Sequence, residues 1–317
     1  MVGVGEGPMG GTGRGGRGPL PAREGLLMVG HGSRSELSVE EMHSLGGLVA
    51  SEMPYVSVEV GFLELNDPPA GAAIDRLVER GCERIGVLPL VLLGAGHAKS
   101  DSPAVVLEAR DRHPSVDFRF GTPLGVAREA VELLGKSVVS AGGAGLPLLV
   151  LARGSSDPDA NSDAYKAARL VGEWAGSGFV NVGFSGITGP SIEDAAAAMV
   201  RIGYTRVAVA WWFLCHGRLV ERGRAEMSAV FDNAGVQYVD AGYIGPEPAL
   251  VPLVVRRYRE AIGTGSHDQQ GDSAAAESGV NCDTCAYRAP WPGKEDRVGQ
   301  PIGVGHSHLA AAHRHTH

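Results

Sequence analysis

Three side chains able to hold a divalent metal stand just after short apolar runs. His31 follows Leu26–Gly30 and Glu64 follows Val56–Phe62. His97 follows Arg84–Leu90, by way of the loop Leu92-Leu93-Gly94-Ala95-Gly96. Two imidazoles and a carboxylate suit a first-row divalent cation, and an incomplete ligand set leaves positions open. A lone His after a strand is more often a capping or hydrogen-bonding residue. Two at equivalent strand ends, with a carboxylate, favour a site. Gly94 and Gly96 allow the backbone to approach a flat ligand. Backbone N–H groups there, and near Ser102-Pro103 at the next helix start, can hold carboxylates. The alternative is a plain strand-to-helix turn.

For these residues to meet, the apolar runs must be parallel strands. Leu26–Gly30, Val56–Phe62, Arg84–Leu90 and Val116–Phe120 read as strands. Val39–Met53, Pro68–Arg80, Pro103–His113 and Gly125–Ser140 read as the helices between them, with Ser38 and Asp67 as capping candidates. Strands alternating with helices imply a parallel sheet covered on both faces, with ligands beyond its carboxyl edge. The order then recurs. Strands are expected at Leu146–Leu151, Phe179–Phe184, Arg206–Phe213 and Gln237–Val239. Helices are expected at Asn161–Ala175, Ser191–Ile202, Leu219–Asn233 and Pro246–Ile262.

The recurrence is a duplication. Residues 27–34 (LMVGHGSR) match 149–156 (LVLARGSS), Val60-Gly61-Phe62 matches Val182-Gly183-Phe184, and Gly81 matches Gly203, all at an offset of 122 residues. The fold class is therefore α/β, two tandem copies of one parallel-sheet unit. The expected organisation is a disordered Gly-rich segment 1–25, a first repeat 26–140, a Gly/Ala linker 141–145, a second repeat 146–262 and a flexible tail 263–317. Within the second copy, Arg153 replaces His31 and Gly186 replaces Glu64, while His216 is the counterpart of His97. One complete site per chain is expected, in the first copy. Arg153 and Arg218 are placed to face an anionic ligand if the copies meet edge to edge; solvated surface is the alternative.

Composition narrows the classes further. The 317 residues carry a formal net charge of -8 and no basic stripe, which argues against nucleic acid as a partner. No apolar run approaches a membrane span. Four Cys exclude a disulfide scaffold, and the start has no secretory layout, so a cytoplasmic protein is expected. Two G-x-G-x-x-G matches lie in the Gly-rich start with no strand before them, and chance accounts for them. Gly135-Lys136-Ser137 lacks the first glycine of a phosphate loop, since Ala130 stands there, and no G-x-S-x-G elbow occurs.

Three stretches carry a resemblance: VGHGSR (29–34), GFLELNDP (61–68) and LPLVLLGAGHAKSDSP (88–103). They resemble the sirohydrochlorin chelatases, which are class II tetrapyrrole chelatases. With the two copies, NCDTCAYR (281–288) and a His-rich tail, the chain is similar to the long form of the cobaltochelatases of cobalamin synthesis. The resemblance spans about residues 26–288. It implies a lyase that inserts Co(II) into sirohydrochlorin without ATP. His31 would be proton acceptor and metal ligand, and His97 the second ligand. Glu64 and Leu92, Leu93, Gly94, Ala95 and Gly96 would contact substrate.

The chemistry of insertion suits those residues. Two pyrrole N–H protons must leave as a partly desolvated cation arrives. A neutral imidazole can serve both needs, and a nearby carboxylate can orient it or take the second proton. Arg34, Lys99, Ser33 and Ser100 are the nearest donors for the substrate's carboxylates. The resemblance also implies an iron–sulfur cluster at Cys282 and Cys285. A four-iron cluster usually takes four Cys, so this pair would need a homodimer sharing two pairs, or non-Cys ligands. A zinc half-site or two free thiols is the alternative. Two rival functions stay open: a ferrochelatase for siroheme using the same residues, and a non-catalytic metal-binding or metallochaperone protein using the His-rich tail.

Overall fold

The computed structural model describes residues 23–95, 99 and 101–263. The first repeat runs β1 (Glu24–Gly30), α1 (Glu36–Glu52), β2 (Val56–Phe62), α2 (Ala70–Glu79), β3 (Arg84–Pro89), α3 (Ser102–Arg112), β4 (Asp117–Phe120) and α4 (Arg128–Ser140). The second runs β5 (Leu148–Ala152), α5 (Pro158–Ala175), β6 (Val180–Phe184), α6 (Ile192–Ile202), β7 (Arg206–Trp211), α7 (Arg218–Ala234) and β8 (Gln237–Tyr243). A 3-10 turn at Pro248–Leu250 then leads into α8 (Val251–Gly263). Each repeat forms a four-stranded sheet, in the orders β2-β1-β3-β4 and β6-β5-β7-β8, with every pairing parallel.

The expected alternation is present, with shifted ends. α1 begins at Glu36, with extended Ser35 at its N-cap, so Ser38 lies inside the helix and does not cap it. Glu36 in the first turn suits the positive end of the helix dipole. Asp67 likewise precedes the true N-cap of α2, Pro69. β8 continues past Val239 to Tyr243. Asp240 is accommodated in it because its Oδ1 accepts from Trp211 Nε1 at 3.0 Å and from the Gly242 N–H at 2.8 Å.

Central strands are apolar on both faces, as a covered parallel sheet requires. In β1, Leu26 and Met28 point to one core while Leu27 and Val29 point to another. The second of these is the outer core of the first repeat, closed by α2 and α3 through Ile74, Leu77, Val105 and Val106. The second repeat has a matching outer core under α6 and α7, with Met199, Met227 and Phe231. The inner faces of both sheets share a single core with α1, α4, α5 and α8.

That shared core rests on an exchange of helices. α4 closes the first repeat in sequence, yet packs on α5, β7 and β8 of the second. α8 closes the second repeat, yet packs on β3, β4 and α1 of the first. Gly86 in β3 makes room for this: a Cβ there would stand 2.8 Å from the ring of Tyr258 in α8. The Tyr258 hydroxyl donates to Glu24 Oε2 at 3.2 Å, tying α8 to the start of β1. Burial, with the Glu24 carboxylate beside it, pushes the Tyr258 hydroxyl pKa well above the usual range. Among the described residues, no helix is long and apolar enough to cross a membrane.

Candidate functional site

Parallel strands end flush, and this positions the first pair of side chains. Gly30 pairs with Phe62, so His31 and Glu64 emerge side by side from β1 and β2. The two loops are laced together. Leu63 N–H donates to Gly30 O at 3.0 Å, Glu64 N–H to His31 O at 3.1 Å, and Ser33 N–H to Asn66 Oδ1 at 2.6 Å. Gly32 permits this closeness: its φ is +102°, and a Cβ would fall 1.9 Å from Glu64 O. His31 Nε2 consequently meets Glu64 Oε1 at 3.0 Å, with both side chains part-exposed.

The second repeat keeps the same scaffold with different chemistry. Gly154 has φ +77°, and a Cβ there would fall 2.2 Å from Gly186 O. Ser185 N–H donates to Ala152 O at 2.9 Å, as Leu63 does to Gly30. Cis peptides occur at Asp67-Pro68 and at Gly189-Pro190, the same place in each copy.

The carboxyl edges of both sheets open onto one cleft of about 1020 Å³. His31, Glu64, Leu92, Leu93 and Ala95 line it from the first repeat. Arg153, Ile187, Trp212, His216 and Arg218 line it from the second. Gly96 and His97 lie outside the described residues, as do Cys282, Cys285 and the His-rich tail. Among the described residues no group of three or more His, Cys, Asp or Glu could hold a metal; His31 and Glu64 form a pair.

One expected donor is elsewhere. Lys99 does not face the cleft as a carboxylate donor. Its side chain is buried, with Nζ on Asp157 Oδ2 and Asp159 Oδ2 at the start of α5. A buried ammonium needs close anionic partners, and α5 supplies two. Arg34, Arg153 and Arg218 do line the cleft, exposed and without an ion-pair partner among the described residues.

A further set of groups sits where α1 of the first repeat meets the second. Glu41 accepts from the His216 backbone N–H at 2.7 Å and from the Tyr243 hydroxyl at 2.5 Å. Burial and then the Glu41 carboxylate push the Tyr243 hydroxyl pKa up, and the same causes push the Cys215 thiol up to about 12. Trp212 is buried in the cleft wall, and its Nε1 has no hydrogen-bond partner among the described residues. Glu41, Tyr243 and Trp212 were not expected from sequence. Glu41 reads as an ordinary solvent-facing helix residue, and its partners lie more than 170 residues away. Cys82 lies in the outer core of the first repeat, while Cys215 flanks the shared core and the cleft. The two are not gathered, so the described cysteines do not fit an iron–sulfur cluster.

Fold and site together define an α/β protein of two repeats that share one ligand cleft at their strand ends. The CbiX family model matches residues 25–141 and again 147–261. A sirohydrochlorin cobaltochelatase of Priestia megaterium is 34% identical over 83% of this chain and 84% of its own length. A sirohydrochlorin ferrochelatase of Bacillus subtilis is 28% identical over 80% of this chain and 98% of its own. The structure of SirB from Bacillus subtilis with Fe3+ aligns with a TM-score of 0.67 and 27% identity, covering 75% of this chain and 95% of that one. The chain belongs to the CbiX family, the sirohydrochlorin chelatases.

Proposed function

We propose that the chain inserts Co(II) into sirohydrochlorin, without ATP, for cobalamin synthesis. The observation that carries the reading is the His31 Nε2–Glu64 Oε1 contact of 3.0 Å in a cleft built from both repeats. Insertion exchanges two pyrrole protons for one divalent cation, so the site must hold the metal briefly and accept two protons. His31 binds the arriving metal with His97 as second ligand, then takes one proton as the metal passes to the macrocycle. Glu64 orients His31 and takes or relays the other proton. Leu92, Leu93, Gly94, Ala95 and Gly96 form the loop against the ring. Arg34, Arg153 and Arg218 receive its peripheral carboxylates, offsetting the chain's net charge of -8 locally.

The similarity to a cobaltochelatase at 34% identity, against 28% for the ferrochelatase, supports cobalt. Iron is the second reading, because a sirohydrochlorin ferrochelatase matches 80% of this chain and 98% of its own length. Anaerobic insertion kinetics with sirohydrochlorin and either Co(II) or Fe(II) test both. The expected result is acceleration over the uncatalysed rate, faster with cobalt, and lost in His31→Ala. A faster iron reaction transfers the chain to the siroheme reading. No acceleration with either metal leaves the metallochaperone reading. A chain ending at Gly263 separates that case further, since chelation without the His-rich tail is incompatible with a carrier that works through it.

A further inference from the structure

Leu65 and Ile187 are the two non-glycine residues with positive φ among those described, at +68° and +70°. They hold the same place in the two repeats, at the tips of the loops after β2 and β6. Each is the centre of a γ-turn: Asn66 N–H donates to Glu64 O, and Thr188 N–H to Gly186 O, both at 2.8 Å. A γ-turn of this hand is rare and strained, most of all for a β-branched residue such as Ile187. Both side chains are also exposed, at 57% and 70%. Both line the cleft, one from each repeat.

Two local costs therefore recur in both copies: a strained backbone and a bulky apolar side chain left in water. Among the described residues nothing covers either side chain. The two copies keep the cis-proline that follows but differ at the residues flanking the tip. The residue before the tip is Glu64 in one and Gly186 in the other, and the residue after is Asn66 or Thr188. A large aliphatic side chain in the same turn survives where the carboxylate does not. Its use is thus separate from metal binding.

We propose that Leu65 and Ile187 form an apolar pincer, pressing on the tetrapyrrole ring from the two repeats and positioning it over His31. The proposal rests on the chelatase reading and adds the means by which a ring bearing many carboxylates is held by its apolar surface. Leu65 adjoins Glu64, so changes there also disturb the first site. Ile187 adjoins Gly186 and is the cleaner probe.

The test is equilibrium binding of metal-free sirohydrochlorin to the full chain, followed by quenching of tryptophan fluorescence, since Trp212 lines the cleft. Thermal melts and insertion kinetics accompany it. Ile187→Gly removes the side chain and relieves the turn. It should weaken binding about tenfold, the scale of one aliphatic side chain withdrawn from contact. Its KM should rise and its kcat fall by a smaller factor, and its Tm should equal or exceed that of the wild type. Ile187→Leu should retain wild-type binding. Unchanged binding in Ile187→Gly, or a Tm several degrees lower, overturns the pincer and makes Ile187 a structural residue. A wild-type chain that binds no sirohydrochlorin overturns the chelatase reading itself, and the two failures are told apart by that control.

Discussion

Lys99 Nζ lies 2.7 Å from Asp157 Oδ2, and each side chain is only 3% exposed. Asp159 Oδ2 stands at 2.9 Å on the other side. The contact ties Lys99, two positions after the candidate ligand His97 in sequence, to the N-terminus of α5 in the other repeat. Removing one partner of a buried pair leaves the other charge without compensation. Lys99→Met should cost about 3–5 kcal/mol in denaturant unfolding. Asp157→Asn should cost less, because Asp159 remains and an Asn can still cap α5. Equal losses would mean that the pair does not act as a buried unit.

Asp163, one turn further along α5, is pushed upward by burial and by the Asp159 carboxylate. A raised carboxyl pKa favours the protonated folded state. Its penalty is therefore absent well below the ordinary aspartate range, grows as pH rises past the ordinary value and is complete above the shifted one. Asp163→Asn should raise Tm at pH 7, and the gain should vanish near about pH 3, where both states hold the proton. Melts of both proteins across that range check the sign.

Gly32 and Gly154 give a matched pair of tests. Alanine at either position meets a carbonyl oxygen of the facing loop and takes a disfavoured φ. Each change should destabilise the fold, with about 1–3 kcal/mol from the backbone alone. Only Gly32→Ala disturbs the His31–Glu64 pair. Metal insertion should thus fall far more in Gly32→Ala than in Gly154→Ala at similar loss of Tm. Equal loss of activity would place the chemistry in both repeats.

Tyr258 is 2% exposed against β3. Tyr258→Ala should cost about 3–5 kcal/mol by opening a cavity. Tyr258→Phe should cost about 1 kcal/mol through the Glu24 hydrogen bond. Because its hydroxyl pKa is raised, the wild-type advantage over Phe should hold at neutral pH and decline above about pH 10.

The strands, their order of appearance and the duplication were legible in the sequence because they rest on local patterns. Leu26 to Gly30 is apolar on both faces and ends at a His-Gly pair, and that run recurs at 148–152. The adjacency of His31 and Glu64 was legible for the same reason, since parallel strands align their ends. The helix exchange was not. Periodicity shows that α4 and α8 each have an apolar stripe, but not which sheet the stripe covers. Lys99 misled because a cation near a strand end reads as a ligand donor, and its partners lie 58 and 60 residues away. Leu65 and Ile187 gave no signal, because a positive φ is usually announced by Gly or Asn.

The exchange of α4 and α8 sets an order of events during synthesis. Strands β3 and β4 emerge from the ribosome more than 100 residues before the helix that covers their inner face. Tyr258, which joins Glu24 across 234 residues, arrives close to the end of α8. The nascent first repeat must therefore wait with bare apolar surface, and neither repeat reaches its native packing until nearly the whole described chain has been made.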